Sequence, residues 1–397
     1  MRTLTILALA PAFLAAAAHA QLVVGPVSGL APVVGVGAPT PAPAGAVQFF
    51  TAFDPAFRGG VSVAMGDTNG DGIADIIVGA GAGAPGGHVK VFDGRTLAPI
   101  GDLRPFGGTH SGATYIAAGV IGMEDATPDI IVSSSSRPNG GPHIRIFDGA
   151  TGWALYAIDA FPGFSGGVRV AAADLDGDGV DDIISVPDHT HPSPAIKVHC
   201  GRTLLEVRSI PVSGNQTPTP GGQGTDVLLG GLGVDYLAGR DQGMIIYAPG
   251  DGSTRLIVGG EQGVWRPFGP SYTGGLSVAV GDIDGDGRAE LVAGMMNGGR
   301  VASIAVDNAD PIGDTTYLEP YGPAFTGGVF VGAAPVRGCS TADIDGDGDF
   351  GTDADIAAFF ACLASGCPHA DFNRDGDLGT DHDIESFFRV LAGGPCR

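Results

Sequence analysis

The sequence predicts an all-β propeller followed by a small all-α module, and three observations support this prediction. A unit of about 54 residues recurs along most of the chain, which is typical of a propeller or a solenoid array. Each unit contains short apolar strands separated by turns rich in Gly, Asn and Asp. A loop of the form Asp-x-Asp/Asn-x-Asp-Gly occurs five times, and only its last two copies precede a helical pattern. The element after the loop, a strand or a helix, therefore divides the chain into two parts.

The repeat is measured from a Gly-Gly pair that opens an apolar strand. Its second glycine stands at residues 60, 167, 275 and 328. The first two intervals between these glycines are about twice as long as the third. This predicts degenerate copies near 113 and 221, where Ser111-Gly112-Ala113 and Gly221-Gly222 occur. Five full units run from residue 60 to about 327, and a sixth has only its first strand at 328–334.

Four short antiparallel strands are predicted in each unit. In the first unit an alternating strand at 61–65 runs into the Asp loop, and a β-branched strand at 76–78 leaves it. A Gly-rich turn, a strand at 89–92 and a last strand ending at 105–107 complete the unit. Apolar runs of this kind between turn residues indicate strands, and four-stranded units repeated radially are propeller blades.

The two ends of the repeat region are expected to close the ring together. Residues 33–36 and 47–50 resemble the later strands of a unit, so the Pro- and Ala-rich segment 21–48 is interpreted as part of a sixth blade. Pairing with the strand at 328–334 would leave no free sheet edge. Six blades are favoured, and seven are possible if the degenerate regions contain another. In the copy at 222–273, residues 233–237 are aligned with 72–76.

Charge and composition disfavour nucleic-acid binding. The chain has 43 acidic and 20 basic residues, a net charge of −23, and more than half of the acids lie in the five loops and the positions just after them. The sequence has no basic stripe that could meet phosphates. Its 44% of hydrophobic residues is sufficient for a packed core.

The N-terminus has the pattern of a secretory signal peptide. Met-Arg-Thr precedes an apolar run at 4–18, and Ala18-His19-Ala20 precedes Gln21. A basic start, a short apolar core and a small-residue cleavage site are typical of export, and no other apolar run is long enough to span a bilayer. We therefore expect a signal peptide at 1–20 and a secreted or cell-surface mature chain without a membrane span.

The repeat resembles the FG-GAP/VCBS family of integrin-α-like propellers. The resemblance rests on the Phe-x-Gly-Gly-Val opening at 57–61 and 325–329 and on the D-x-[DN]-x-D-G-x-x-[DE] loop, within a propeller domain at 21–337. It implies Ca²⁺ held by side-chain oxygens and by the carbonyl of the seventh loop residue. The implied ligands are Asp67, Asn69, Asp71, Ile73, Asp75, Asp174, Asp176, Asp178, Val180, Asp182, Asp282, Asp284, Asp286, Arg288 and Glu290. The copies near 113 and 222 lack this set, so their blades are expected to hold no metal.

Residues 338–397 resemble a dockerin of the Cys-bracketed type, which is a duplicated EF-hand-like module. Two loops at 343–355 and 371–383 each precede apolar residues spaced i, i+3, i+4 and i+7, as on one face of a helix. The usual loop has its last carboxylate at position 12, whereas here acids stand at 11 and 13; Asp355 and Asp383, just before the helices, are assigned this role. The implied Ca²⁺ ligands are Asp343, Asp345, Asp347, Asp349, Asp355, Asp371, Asn373, Asp375, Asp377 and Asp383.

The module is expected to carry disulfides and a docking face. Four of the five cysteines lie in it (Cys339, Cys362, Cys367 and Cys396), and small secreted modules are often stabilised by disulfides. Of three possible pairings, Cys339–Cys396 with Cys362–Cys367 is favoured, and Cys200 is interpreted as a buried strand thiol and not as a nucleophile. The docking face is expected around Phe359, Phe360, Phe387 and Phe388, part of which must also form the core of the module.

These patterns predict a calcium-binding propeller that presents a surface to a protein or polysaccharide ligand. The resemblance implies that its tail attaches to a cohesin-like or other scaffold protein. No catalytic residues are assigned, because the Gly-x-Ser-x-Gly match at 163–167 precedes a strand instead of the helix of a nucleophile elbow. The alternatives are a polysaccharide-degrading enzyme, either a lyase or a glycoside hydrolase, and a structural surface protein. Residues 221–237 also fit two calcium-binding repeats of a β-roll.

Overall fold

The computed structural model describes most of the chain outside the first 21 residues. The described residues are 22–37, 48–71, 73–122, 127–138, 140–175, 180–188, 191–211, 230–231, 245–247, 254–258, 261–272, 274–281, 283, 290–307, 310–334, 353–365, 370, 372 and 379–391. The expected signal peptide at 1–20 lies outside them.

Twenty-four strands form six four-stranded antiparallel sheets in the described part of the chain. Five of these sheets are propeller blades, each built from four consecutive strands, as the repeat predicts. The strands are β1 (Leu22–Pro26), β2 (Val33–Gly37), β3 (Gln48–Thr51), β4 (Val61–Gly66), β5 (Asp75–Ala80), β6 (Val89–Phe92), β7 (Pro99–Leu103), β8 (Thr114–Gly119), β9 (Asp129–Ser134), β10 (Ile144–Phe147), β11 (Ala154–Ile158), β12 (Val168–Ala173), β13 (Asp182–Pro187), β14 (Ala195–His199), β15 (Glu206–Pro211), β16 (Gly230–Gly231), β17 (Ile245–Tyr247), β18 (Thr254–Val258), β19 (Glu261–Trp265), β20 (Leu276–Gly281), β21 (Glu290–Met295), β22 (Val301–Asp307), β23 (Asp310–Leu318) and β24 (Val329–Ala333).

The sixth sheet is composite and joins both ends of the propeller in the order β24-β1-β2-β3. Strands β1 and β24 are antiparallel, with Leu22 opposite Ala333 and Pro26 opposite Val329. The expected pairing of the last propeller strand with N-terminal strands is confirmed. The sequence pattern misses β1 itself, because its short apolar run lies beside a segment rich in Pro, Ala and Gly. The described residues thus form five blades of consecutive strands, and not the six or seven predicted, because the last sheet is assembled from the two ends of the propeller; no seventh four-stranded sheet occurs among them.

The first strand of each blade faces a central channel. Neighbouring inner strands contact one another in the order β4, β8, β12, β16, β20 and β24, and β24 contacts β4 again. The channel encloses about 180 Å³ and is lined mostly by small side chains, including Ala64, Ala118, Ala172 and Ala279. Small residues are needed at these positions because the inner strands converge on one axis.

The hydrophobic core lies between adjacent sheets. Strands β5, β9 and β13 are buried along their whole length. Ile77 of the first blade belongs to one buried cluster with Ile130 of the second, and Ile146 of the second blade to another with Ile183 of the third. The continuous β-branched runs of these second strands reflect burial on both faces of the sheet.

The second strand of the fourth blade differs from the prediction. Aligning 233–237 with 72–76 places this strand directly after Asp235, whereas the structure has β17 at Ile245–Tyr247. Residues 238–241, Ala-Gly-Arg-Asp, have low strand propensity, but Ile245-Ile246-Tyr247 has high propensity. The strand therefore forms where the apolar β-formers are. Residues 232–244, with the aligned segment and most of the alternative β-roll repeats, lie outside the described part.

The C-terminal region forms two helices, α1 (Asp353–Ser365) and α2 (Asp381–Leu391). Phe359, Phe372 and Phe387 are fully buried, and the rings of Phe359 and Phe387 are stacked with centroids 4.0 Å apart. Phe360 and Phe388 are instead 45% and 43% exposed. The four predicted docking residues thus separate into a core pair and a surface pair. No helix in the described part of the chain is long and apolar enough to cross a membrane.

Candidate metal centre

The first Asp loop connects β4 to β5 and is the most completely described candidate site. Its three oxygen-bearing side chains bend over the same turn. Asp67 Oδ1 accepts hydrogen bonds from the amides of Gly70 and Asp71 at 2.8 and 3.0 Å. Asn69 Oδ1 accepts one from Asp71 at 2.9 Å, and Asp71 Oδ1 accepts one from Ile73 at 2.9 Å. A set of carboxylate and amide oxygens around one turn has the chemistry that hard cations such as Ca²⁺ require.

The ninth loop residue, Asp75, is fully buried and holds the loop to the blade. Its Oδ2 accepts hydrogen bonds from the amide of Thr68 at 3.0 Å, from Thr68 Oγ1 at 2.6 Å and from the amide of Asn69 at 3.2 Å. Its Oδ1 accepts one from the amide of Gly94 at 3.0 Å. Burial raises the pKa of Asp75, the hydrogen bonds from Thr68 and Gly94 oppose this shift, and the charge of Asp67 adds to it. A cation between Asp67 and Asp75 would relieve their repulsion.

The carboxylate at this position has the same structural role in other blades. In the second blade Ile121 donates its amide to Asp129 Oδ2 at 3.1 Å, and in the fifth blade Ile283 donates to Glu290 Oε2 at 2.9 Å. The second blade is the copy whose loop lacks the ligand set. Asp129 does not stand out in the sequence as a ligand candidate. The signal that could have found it is an acid directly before the apolar second strand in each of these copies.

A glycine in the hairpin after the third strand completes the connection. A Cβ on Gly94 would lie 2.1 Å from the carbonyl oxygen of Ala74, and one on Gly149 would lie 2.1 Å from that of Pro128. In the third blade, Gly201 donates its amide to Asp182 Oδ1 at 3.2 Å. The hairpin can therefore approach the start of the second strand only where it carries no side chain.

We predict that Gly94→Ala destabilises the propeller by about 2–3 kcal/mol, because the new methyl group would overlap backbone that cannot move independently. Gly108→Ala is the matched control, since a Cβ there would meet nothing within 4 Å. Urea unfolding of the two variants measures the difference. Equal unfolding midpoints would contradict the steric role assigned to Gly94.

The other candidate ligands of the propeller are described only in part. The described residues include Asp174, Val180 and Asp182 of the second metal loop and Glu290 of the third. Of these, Asp182 and Glu290 are buried at the start of their strands. Asp176, Asp178, Asp282, Asp284, Asp286 and Arg288 lie outside them. Within the described residues, no group of three or more metal-binding side chains comes together.

Next to the second metal loop, Asp181 reaches the wall of the central channel. Its Oδ2 accepts a hydrogen bond from the amide of Val120 at 2.7 Å, and its own amide donates to the Val120 carbonyl at 2.8 Å. Burial raises the pKa of Asp181 to about 6. Asp181 thus joins the second blade to the third, a role that no sequence motif indicates.

In the C-terminal module, Asp383 lies in the first turn of α2 and not before the helix. Its Oδ2 accepts hydrogen bonds from the amide and Oγ1 of Thr380 at 2.7 and 2.9 Å, and its own amide approaches Thr380 Oγ1 at 3.4 Å. This is a capping box, which satisfies amides at the start of a helix. Asp355 likewise falls inside α1. The remaining candidate ligands of the two loops, Asp343, Asp345, Asp347, Asp349, Asp371, Asn373, Asp375 and Asp377, lie outside the described residues.

The cysteines fit the predicted division of the chain. Cys362 is buried in the helical module and forms a disulfide. Cys200 is a free thiol, but it is only half-buried and lies directly after β14, so its prediction as a buried strand residue is wrong. Cys339, Cys367 and Cys396 lie outside the described residues, so the favoured pairing stays a prediction.

The residues around the Gly-x-Ser-x-Gly match maintain the fold. His143 lies between Asp159 Oδ1, at 2.8 Å from Nδ1, and the carbonyl of Phe164, at 3.1 Å from Nε2. The carbonyl of Ser165 accepts a hydrogen bond from the amide of Arg137 at 3.0 Å, and Gly83 makes the equivalent bond to Ser111 at 2.8 Å. The motif is thus part of a repeated contact between neighbouring blades.

His110 is a buried histidine that is expected to link the stability of the propeller to pH. Burial lowers the pKa of His110, whose Nε2 lies 2.6 Å from Ser134 Oγ. Because the unfolded chain then binds a proton more readily, stability is complete above the ordinary pKa of about 6.5 and falls below it by up to about 1.4 kcal/mol per pH unit. We predict that His110→Gln reduces the loss of melting temperature between neutral and mildly acidic buffer. An unchanged pH dependence would contradict this role.

The comparisons with known proteins agree with the repeat architecture. Profiles of the FG-GAP repeat match residues 59–92 and 274–306, and a profile of the FG-GAP-like repeat matches residues 124–185. No curated protein matches the sequence. One similar solved structure is a hypothetical selenium-binding protein from Sulfolobus tokodaii, with 14% identity, a TM-score of 0.45, and 76% of each chain covered.

Another similar structure is AofleA from Arthrobotrys oligospora, with 11% identity and a TM-score of 0.46; the match covers 80% of this chain and 90% of that one. Repeat matches in three places, on strands that form blades, agree with the internal period of the sequence. The chain is a β-propeller protein that carries FG-GAP repeats.

Proposed function

We propose that this protein is an exported, calcium-stabilised binding protein whose propeller presents a ligand surface and whose C-terminal module attaches it to a partner. The geometry of the first loop is the observation that carries the proposal. Asp67, Asn69 and Asp71 are folded over one turn by hydrogen bonds to its amides. Asp75 stands beside them with a pKa that the charge of Asp67 helps to raise.

In this proposal the ion is held by the side chains of Asp67, Asn69 and Asp71, by the carbonyl of Ile73 and by the carboxylate of Asp75. The bound ion supplies positive charge that offsets carboxylate repulsion. The chain's own residues then transmit the effect: Asp75 binds the amide of Gly94, so an ordered loop also orders the hairpin between β6 and β7. The loops at 174–182 and 282–290 act in the same way in their blades.

The proposed docking surface of the module is built around Phe360 and Phe388. Their ring centroids lie 6.1 Å apart on two different helices, and both rings are more than two-fifths exposed. Phe359 and Phe387 supply the core beneath them. Exposed aromatic pairs are favourable anchors at protein interfaces, which supports attachment to a cohesin-like or other scaffold protein.

A ligand screen with the calcium-loaded full chain tests the proposal. We expect binding to a polysaccharide or protein without chemical change, and retention on a cohesin-like scaffold that is weakened by Phe360→Ser with Phe388→Ser. Trp153→Ser, which changes an exposed aromatic residue of the propeller, is the control for the docking test. Release of shortened sugars would replace the proposal with the polysaccharide-degrading enzyme. Unchanged retention of the double variant would refute the docking surface.

A further inference from the structure

The chain contains three Asn-Gly pairs, and the structure describes both residues of two of them, Asn69-Gly70 and Asn297-Gly298. Asparagine before glycine is chemically labile, because no side chain hinders attack by the following amide nitrogen. The two described pairs lie in very different environments. We propose that Asn297 is a site of spontaneous deamidation in the folded protein and that Asn69 is protected by its loop.

The reaction needs only the protein and water. The amide nitrogen of the glycine loses its proton and attacks Cγ of the asparagine, the Cγ–Nδ2 bond breaks, and ammonia leaves with a succinimide as the product. Water then opens the ring at either carbonyl, which gives aspartate or isoaspartate. The attacking nitrogen must be able to approach Cγ, so hydrogen bonds that fix either group slow the first step.

Asn297 meets these requirements. It lies in the turn between β21 and β22 and is exposed, and among the described residues its side chain has no hydrogen-bond partner. Gly298 has a φ of 147°, a conformation that residues with a side chain rarely adopt. A Cβ at this glycine would lie 2.6 Å from Met295 Sδ, so the Met295 side chain would have to shift to accommodate it.

Asn69 is fixed at both reacting groups. The amide of Gly70 donates a hydrogen bond to Asp67 Oδ1 at 2.8 Å, which holds the nucleophilic nitrogen away from Cγ. Asn69 Oδ1 accepts from Asp71 at 2.9 Å, and Asn69 Nδ2 lies 3.3 Å from Asp75 Oδ1. The leaving group and the carbonyl are therefore both held by neighbouring loop residues.

Deamidation at Asn297 would alter a contact that holds the fifth blade. The Asn297 amide donates to Tyr272 Oη at 3.3 Å, and Tyr272 Oη donates to the Gly275 carbonyl at 2.7 Å. These bonds tie the turn to the loop that precedes β20. Isoaspartate lengthens the backbone by one methylene group after residue 297 and adds a negative charge. The turn can then no longer keep its register with Tyr272.

Peptide mapping of the full chain after incubation in mildly alkaline buffer tests the proposal. We expect the peptide with Asn297 to convert at least about tenfold faster than the peptide with Asn69, equivalent to a barrier difference of about 1.4 kcal/mol. Each conversion is seen as the mass change from –NH₂ to –OH. In denaturant the two rates should become similar, because the fold no longer distinguishes the sites.

Asn297→Gln is the matched variant, since glutamine would have to form a larger and slower-forming ring. It should abolish conversion of this peptide and keep its melting temperature during incubation, while the wild type loses melting temperature as isoaspartate accumulates. Conversion at Asn69 as fast as at Asn297 in the folded chain would overturn the proposal. The proposal would also be overturned if the wild-type peptide with Asn297 converted no faster than the same peptide of the Asn297→Gln variant.

Discussion

Val23→Asp is expected to prevent stable closure of the propeller and to cost more than about 4 kcal/mol, as an unpaired charge in a core does. Val23 is fully buried in β1, with β24 on one side of the strand and β2 on the other. The substitution thus acts on the one sheet that joins the two ends of the ring. The measurement is urea unfolding followed by intrinsic fluorescence.

Phe49→Asp is the matched control, because Phe49 lies in β3 of the same sheet but is 48% exposed. Tyr321→Phe gives a milder test if Val23→Asp does not fold. The Tyr321 hydroxyl lies 3.0 Å from the carbonyl of Val24 and 2.9 Å from that of Val33, so it holds both β1 and β2. Its loss should cost about 1 kcal/mol. A Val23→Asp protein as stable as the Phe49→Asp protein would show that the composite sheet does not close the ring.

Chelation of calcium is expected to have the second large effect. A ligand that binds only the folded state stabilises it by about 1.4 kcal/mol at ten times its Kd and about 2.7 kcal/mol at a hundred times. Extracellular loops of this kind bind at about 10⁻⁴–10⁻³ M, so about 1 mM calcium should add roughly 0.4–1.4 kcal/mol per site. We expect about five ions per chain by calorimetry, one for each Asp loop. Two or fewer would contradict the sites in the blades.

Asp71→Asn and Asp129→Asn separate metal binding from the structural role of the acids. Asp71 is an exposed ligand candidate, so its variant should lose part of the stabilisation by calcium and keep the stability measured in chelator. Asp129 is buried in the blade without a ligand set and accepts the amide of Ile121. Its variant should lose stability equally with and without calcium. A calcium response that is unchanged in Asp71→Asn would refute the first loop as a site.

The repeating parts of the fold can be predicted from the sequence because each blade contains its own signals. An alternating strand, an Asp-Gly turn and a buried β-branched strand are all local patterns, and their recurrence at one period specifies the array. The apolar residues at i, i+3, i+4 and i+7 in α1 and α2, with Phe at i+3 and i+4, likewise predict the helices. The helical period does not determine which Phe faces the core: Phe359 and Phe387 are buried, whereas Phe360 and Phe388 are exposed.

The misses have physical reasons of a different kind. Strand β1 pairs with β24, which is about 300 residues away, so no local pattern marks their register. Asp129 is missed because the loop before it carries no metal-ligand set, although the buried acid accepts a hydrogen bond from the amide of Ile121. Gly94 and Gly149 resemble ordinary turn residues, and only the carbonyl groups packed against them show why a side chain cannot be added.

The register of the composite sheet places Leu22 opposite Ala333, so the propeller begins and ends at the same point in space. A short peptide could bridge these residues if the helical module were moved to another terminus. New ends could then be opened between two blades, for example beside Gly108 in the connection from β7 to β8, without breaking any sheet into parts from distant segments. In such a circular permutant the present composite sheet would become an ordinary continuous blade, and ring closure would no longer depend on pairing between strands from the two ends.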